Sequence, residues 1–114
     1  MVTIYHNPRC SKSRQTLQLL QEHNIEPEIV EYLKTPLTAN QISSIVNLLG
    51  INVRALLRTS EADYKENNLA NPDLTDEQLL QAMVDMPKLM QRPIVVSGQK
   101  AAIGRPPEQV LDIL

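Results

Sequence analysis

An α/β fold with a mixed sheet of about four strands is predicted for this chain by three observations. An apolar run, Val2-Thr3-Ile4-Tyr5, leads directly into an amphipathic segment and then into a second β-rich run, Glu28 to Leu33, which reads as a βαβ unit. The middle of the chain carries helix-start signals and no strand pattern. The last third returns to β with Ile94-Val95-Val96, a turn at Ser97-Gly98-Gln99, and Lys100 to Ile103.

The elements follow in order. Strand one spans Val2 to His6, and helix one runs from about Ser11 to His23, with Leu17, Leu19 and Leu20 apolar and Asn24 as a stop. A right-handed crossover makes strand two, Glu28 to Leu33, parallel to strand one. After the turn Lys34-Thr35-Pro36-Leu37, Thr38 and Gln41 form a capping box. Ile42, Ile45, Val46, Leu48 and Leu49 then share a helical face that ends at Gly50. A short helical turn over Val53 to Leu57 delivers Arg58, and Ser60 to Asn67 holds another. Thr75 and Gln78 repeat the capping box, with Leu79, Leu80, Met83 and Val84 on the buried side. Arg92-Pro93 leads into the closing hairpin, and Gly104-Arg105 precedes Pro106-Pro107 at the start of a last helix, Glu108 to Leu114. The order, βαβ then helices then ββα, resembles the thioredoxin or glutaredoxin plan with a helical insertion. Residues 1–114 are expected to form a single domain.

Composition excludes several function classes. Three Tyr and no Phe or Trp leave no stacking platform for single-stranded nucleic acid, and a net charge of −2 argues against a phosphate-backbone binder. The longest uncharged stretch, Thr35 to Val53, holds Pro36, Gly50 and several Asn, Gln and Ser, so no membrane span is expected. One Cys cannot form an internal disulfide, and the N-terminus lacks a signal-peptide pattern. A cytoplasmic location follows as the expectation. Two His and one Cys, scattered, give no metal-ligand spacing, and Met83, Met86 and Met90 read as packing residues.

The single cysteine, Cys10, stands where strand one turns into helix one, within His6-Asn7-Pro8-Arg9-Cys10-Ser11-Lys12-Ser13-Arg14. Helix N-termini and nearby cations favour a thiolate over a thiol, and the same backbone N–H groups suit an oxyanion. A lone Cys is often a small buried hydrophobe, but polar and charged neighbours on both sides are poor company for a core residue. Asn7 is expected to shape the loop by side-chain to backbone bonds.

Four motifs in order then carry a resemblance over essentially the whole chain: His6-Asn7-Pro8-x-Cys10-x-x-Ser13-Arg14, Val53-Arg54-Ala55-Leu56-Leu57-Arg58, Arg92-Pro93-Ile94-Val95 and Gly104-Arg105-Pro106. The chain resembles the glutaredoxin-dependent arsenate reductase (ArsC) family, and within it the short chromosomal YfgD-like subgroup. The resemblance implies Cys10 as the nucleophile toward arsenate or a similar oxyanion, and Arg58, Arg92 and Arg105 as the groups that hold it. His6, Ser13 and Arg14 become supporting residues: His6 as an electrostatic tuner of the thiol, Ser13 as a hydrogen-bond donor to the thiolate, Arg14 as added positive potential. Pro93 is expected in the cis form, as in the thioredoxin plan. Read singly, the same residues have plainer roles: Arg58 as a helix-end cation, Arg92 and Arg105 as loop cations, Ser13 as a first-turn serine, His6 as a strand-end histidine.

The chemistry is coherent. Arsenate is a tetrahedral anion, and an approaching thiolate meets charge repulsion that planar, permanently charged guanidinium groups offset. Reduction of As(V) to As(III) takes two electrons, which one cysteine cannot supply through an internal disulfide. The resemblance implies no bound cofactor, with glutathione as reducing co-substrate and glutaredoxin as the partner that resolves the mixed disulfide. Two alternatives remain. A redox-controlled regulator of the Spx class, which binds RNA polymerase, commonly uses a Cys-x-x-Cys switch, whereas this chain has Cys10 and Ser13. A monothiol glutaredoxin would not need Arg58, Arg92 and Arg105 together.

Overall fold

The structure is a computed structural model that describes all 114 residues, Met1–Leu114. It divides into two compact units: Met1–Thr35 with Arg92–Leu114, and Pro36–Gln91. The second is inserted in the sequence between strands two and three, as the motif order predicted.

The first unit is a four-stranded sheet in the order β2-β1-β3-β4. β1 (Val2–Tyr5) pairs in parallel with β2 (Glu28–Val30) and antiparallel with β3 (Ile94–Ser97), which pairs antiparallel with β4 (Lys100–Ile103). α1 (Ser11–Glu22) makes the crossover from β1 to β2. Ile4, Leu20, Val95 and Val110 are fully buried together, with Val2, Leu17, Leu19, Ile25, Ala102 and Ile113 packed around them. Each such fully buried aliphatic side chain contributes roughly 1.5–3 kcal/mol.

β2 is shorter than its β-rich sequence implied. After Val30 the chain turns, with the N–H groups of Lys34 and Thr35 both donating to Glu31 O at 2.9 and 3.0 Å, and Tyr32 is buried in that turn. Asn24 does stop α1: it takes φ 61°, a left-handed conformation Asn tolerates, while Ile25 N–H reaches back to Leu20 O at 2.9 Å. The β3–β4 turn closes on Ser97↔Lys100, with Gly98 at φ 60°. The last helix is 3-10 rather than α over Pro107–Ile113. Pro107 has no N–H, and Gln109 N–H bonds Pro106 O three residues back at 3.1 Å. This segment packs on α1 and β4.

In the second unit, α2 (Ala39–Leu49) and α4 (Asp76–Asp85) both begin with the predicted capping boxes. Thr38 and Thr75 accept from the N–H groups of Gln41 and Gln78, whose side chains return to the cap N–H groups. Gly50 ends α2 at φ 68°. α2 and α4 pack on each other and on the 3-10 turn Val53–Leu56, burying Ile42, Ile45, Val46, Leu56, Leu79 and Met83. α3 (Ala62–Glu66) is a short exposed turn. Arg54, half-buried, donates to the carbonyls of Leu69 (2.9 Å) and Asn71 and so ties the Val53–Leu56 turn to the 69–71 loop. No helix is long and apolar enough to cross a membrane.

Candidate active site

Strand register brings three of the four motif segments to one end of the sheet. Tyr5 ends β1 opposite Ile94, which begins β3, and Ile94 in turn lies opposite Ile103, which ends β4. The loop carrying Cys10, the Arg92-Pro93 pair and the Gly104-Arg105 pair therefore leave the sheet side by side. The Arg92–Pro93 peptide is cis, as expected for Pro93, and so is Arg105–Pro106, which the sequence reading did not anticipate.

Cys10 is half-buried and is the N-cap of α1, with extended backbone (φ −91°, ψ 123°) and no side-chain capping bond, so the thiol is not spent on the helix end. Its C=O accepts from Arg14 N–H at 3.0 Å. Asn7 organises the loop: its C=O accepts from Cys10 N–H at 3.0 Å and its Oδ1 from Arg9 N–H at 3.0 Å. This is the side-chain to backbone role expected of Asn7. Arg14 Nη1 donates to Pro8 O at 2.9 Å, so its guanidinium fastens the loop to the first turn of α1. Arg9 and Lys12 flank the thiol and are exposed.

Ser13 differs from the expectation. Its side chain is fully buried, its Oγ lies 2.6 Å from His6 Nδ1, and it accepts from Asn7 N–H at 3.1 Å. The hydroxyl thus joins strand end to helix rather than being bonded to Cys10. The direction of the His6–Ser13 bond follows the ring tautomer. The family resemblance, not the spacing, points the Ser13 hydroxyl to Cys10; the curl of the loop through Asn7 brings His6 to it.

Burial lowers the His6 pKa from its ordinary 6.5, with Arg14 adding to the shift and Glu31 opposing it. The unfolded chain therefore takes up a proton near pH 6.5 before the folded chain does, so stability is full above that pH and falls on acidification toward the lower folded value. Urea midpoints measured on either side of pH 6.5 should show this loss, and His6→Gln should flatten it. An unchanged slope in the variant would remove His6 as its source.

Arg105 is exposed, and its Nη1 donates to Arg92 O at 3.0 Å. The β4 exit is thereby bonded to the β3 entrance through the two arginines themselves, next to the Gly104 N–H bond to Pro93 O at 2.9 Å. Gly104 is needed for a close approach: a Cβ there would stand 2.5 Å from Thr16 Oγ1 and 2.9 Å from Pro93 Cγ. Thr16 is fully buried, with its hydroxyl donating to Lys12 O at 2.8 Å, so it has little room to yield. Gly104→Ala should cost about 1–3 kcal/mol through overpacking, read as a lowered urea midpoint with unchanged slope. Neither Thr16 nor the special status of Gly104 was legible in the sequence, because both depend on a contact between α1 and the β4 exit.

Arg58 belongs to the other unit and is half-buried. Its N–H donates to Leu89 O at 2.7 Å, and its Nη1 meets Glu61 Oε1 at 2.6 Å. No group of three or more His, Cys, Asp or Glu side chains could hold a metal ion.

Comparison with known proteins decides the family. The ArsC family model matches residues 5–113, essentially the whole chain. The chain belongs to the ArsC family. Among its ArsC relatives, an uncharacterized protein of Escherichia coli strain K12, YfgD, is 60% identical over 99% of this chain and 96% of its own length. An arsenate reductase of Haemophilus influenzae is 50% identical over 99% and 98%. In three dimensions, an arsenate reductase from Vibrio cholerae superposes with a TM-score of 0.98 at 50% identity, covering 99% of this chain and 97% of that one. The thioredoxin-like α/β architecture of this ArsC chain is shared with these structural neighbours.

Proposed function

We propose that this ArsC-family chain reduces arsenate to arsenite through a covalent adduct on Cys10. The observation that carries the reading is the in-register convergence of the Cys10 loop, Arg92 and Arg105 at one end of the sheet, with Arg105 bonded to Arg92 O. A thiol at a helix start beside two arginine-bearing strand ends suits a nucleophile facing a tetrahedral anion. The relatives named arsenate reductase add support. The family resemblance assigns Arg58 to the same anion.

The Cys10 thiolate attacks As(V), and one arsenate oxygen, protonated from solvent, leaves as water, giving an S–As bond. Glutathione then attacks the Cys10 sulfur. The S–As electron pair stays on arsenic, which leaves as As(III), and a Cys10–glutathione disulfide forms. Glutaredoxin takes over the glutathione through its own thiol and returns Cys10 as thiolate. The balance is arsenate plus two thiols giving arsenite, one disulfide and water.

The arginines lower the charge repulsion in the first step. The test is arsenate-dependent NADPH consumption by the full chain with glutathione, glutaredoxin and glutathione reductase. Turnover that needs all components supports the reading. No consumption above the protein-free rate overturns it.

A further inference from the structure

We infer that Glu61 is a positioning residue that holds the Arg58 guanidinium ready for the oxyanion; the inference rests on the anion-binding role proposed for Arg58. Two bonds close the same four-residue turn: Glu61 N–H donates to Arg58 O at 3.2 Å, and Arg58 Nη1 donates to Glu61 Oε1 at 2.6 Å. The pair is sheltered, with side chains 17% and 25% exposed, unlike an ordinary surface ion pair. By contrast the pair Lys34–Glu31 is long at 3.5 Å and its lysine is 77% exposed.

Glu61 is the N-cap residue of α3, and its carboxylate makes no capping bond there. The backbone around Arg58 is fixed as well: Leu57 bridges Met90, Arg58 N–H bonds Leu89 O, Gln91 N–H bonds Leu56 O at 2.8 Å, and Gln91 Nε2 donates to Leu57 O at 3.2 Å. A rigid strand-like segment and an orienting carboxylate thus act on the one arginine of this motif that carries the oxyanion role. Arg54, four residues earlier, is consumed by the carbonyls of Leu69 and Asn71.

Arginine has a long, rotamer-rich side chain, and binding an anion orders it. With Nη1 committed to Glu61, that ordering is done beforehand, and the remaining N–H groups of the fork stay available for a tetrahedral anion. Glu61 also places a negative charge near that anion, so its charge opposes binding while its orienting bond favours it, and Glu61→Gln separates the two.

The measurement is calorimetric titration of the full chain with inorganic arsenate, alongside arsenate kcat and KM in the coupled assay, for Glu61→Ala, Glu61→Gln, Glu61→Asp and Arg58→Ala. Glu61→Ala should weaken arsenate binding roughly 10-fold, mainly in KM, the scale of a mispositioned binding group. Glu61→Gln keeps an acceptor at Oε1 and should bind within about 3-fold of the parent, a change smaller than one bond to a charged group. Glu61→Asp keeps the charge but draws the carboxylate back, and should weaken binding; it also serves if the alanine variant folds poorly. In an Arg58→Ala background, Glu61→Ala should cause no further loss.

Tighter or unchanged binding by Glu61→Ala and Glu61→Asp would overturn the inference, as would an equal loss in both backgrounds, which would mean an effect on the fold alone. If Arg58→Ala itself binds arsenate like the parent, the role of Arg58 falls and this inference with it, while the Cys10 chemistry stands on its own assay.

Discussion

Cys10→Ser should abolish arsenate reduction, lowering the rate by a factor on the order of 10⁴–10⁶, the scale seen when a covalent nucleophile is removed. Serine matches the size of cysteine and leaves the Asn7 and Arg14 bonds to the loop backbone untouched, since these use main-chain atoms of residue 10. The fold should therefore persist, and anion binding with it. What is lost is the ionisable sulfur: a hydroxyl is almost wholly un-ionised at neutral pH and forms no S–As or S–S bond. The variant belongs in the coupled assay, with circular dichroism to verify folding. Arsenate reduction at the parent rate by a folded Cys10→Ser protein would end the covalent mechanism.

The second large effect concerns the arginines. Arg92→Ala and Arg58→Ala each remove a half-buried guanidinium. Each should weaken arsenate binding by about 1.5–3 kcal/mol, or ~10- to 150-fold. Arg105→Ala should fall at the lower end of that span. Its side chain is exposed, and a charged bond made beside water is screened. It also releases the bond to Arg92 O, a main-chain acceptor that Arg92→Ala leaves in place, so the losses of Arg105→Ala and Arg92→Ala through this bond are separate. Calorimetric titration with arsenate and sulfate separates these cases. Parent-like affinity in all three variants would remove the arginines from the site.

Much of the fold was legible because its signals are local. Thr38 with Gln41 and Thr75 with Gln78 satisfy helix-end N–H groups within four residues, so the sequence spacing is the structure. Gly50, Gly98 and Asn24 stand where a left-handed residue is needed. The mixed four-stranded sheet, with β1 and β2 parallel and β3 and β4 a hairpin, was readable from the βαβ and ββα pattern, while the length of β2 was not: the turn over 31–35 is set by where the chain must leave the sheet, not by the β propensity of Tyr32 and Leu33. In the candidate site, Cys10 stands out from its neighbours in sequence. The bond of Ser13 to His6 was not legible, because it spans a loop whose curl depends on Asn7. Gly104 against Thr16 arises from packing between distant segments and has no spacing rule to announce it, whereas Arg58 and Glu61 are three residues apart in a turn that carries no helical pattern to mark them as a pair.

The pairing of β1 with β3 sets the order in which this protein can be completed on the ribosome. Val2 lies opposite Ser97, and Tyr5 opposite Ile94, so the central strand waits for nearly the whole chain to be made before it gains its second neighbour. The long hydrogen bonds of the helical segment, such as Arg54 to Asn71 and Arg58 to Leu89, all close between residues 54 and 91. Domains assemble as units during synthesis, and contacts distant in sequence carry the larger loop-closure cost. A nascent chain halted before Ile94 thus has the helix-to-helix partners of α2 and α4 but lacks the far neighbour of β1 and the 107–113 segment that packs on α1, and the surface that carries Cys10, Arg92 and Arg105 is among the last features to exist.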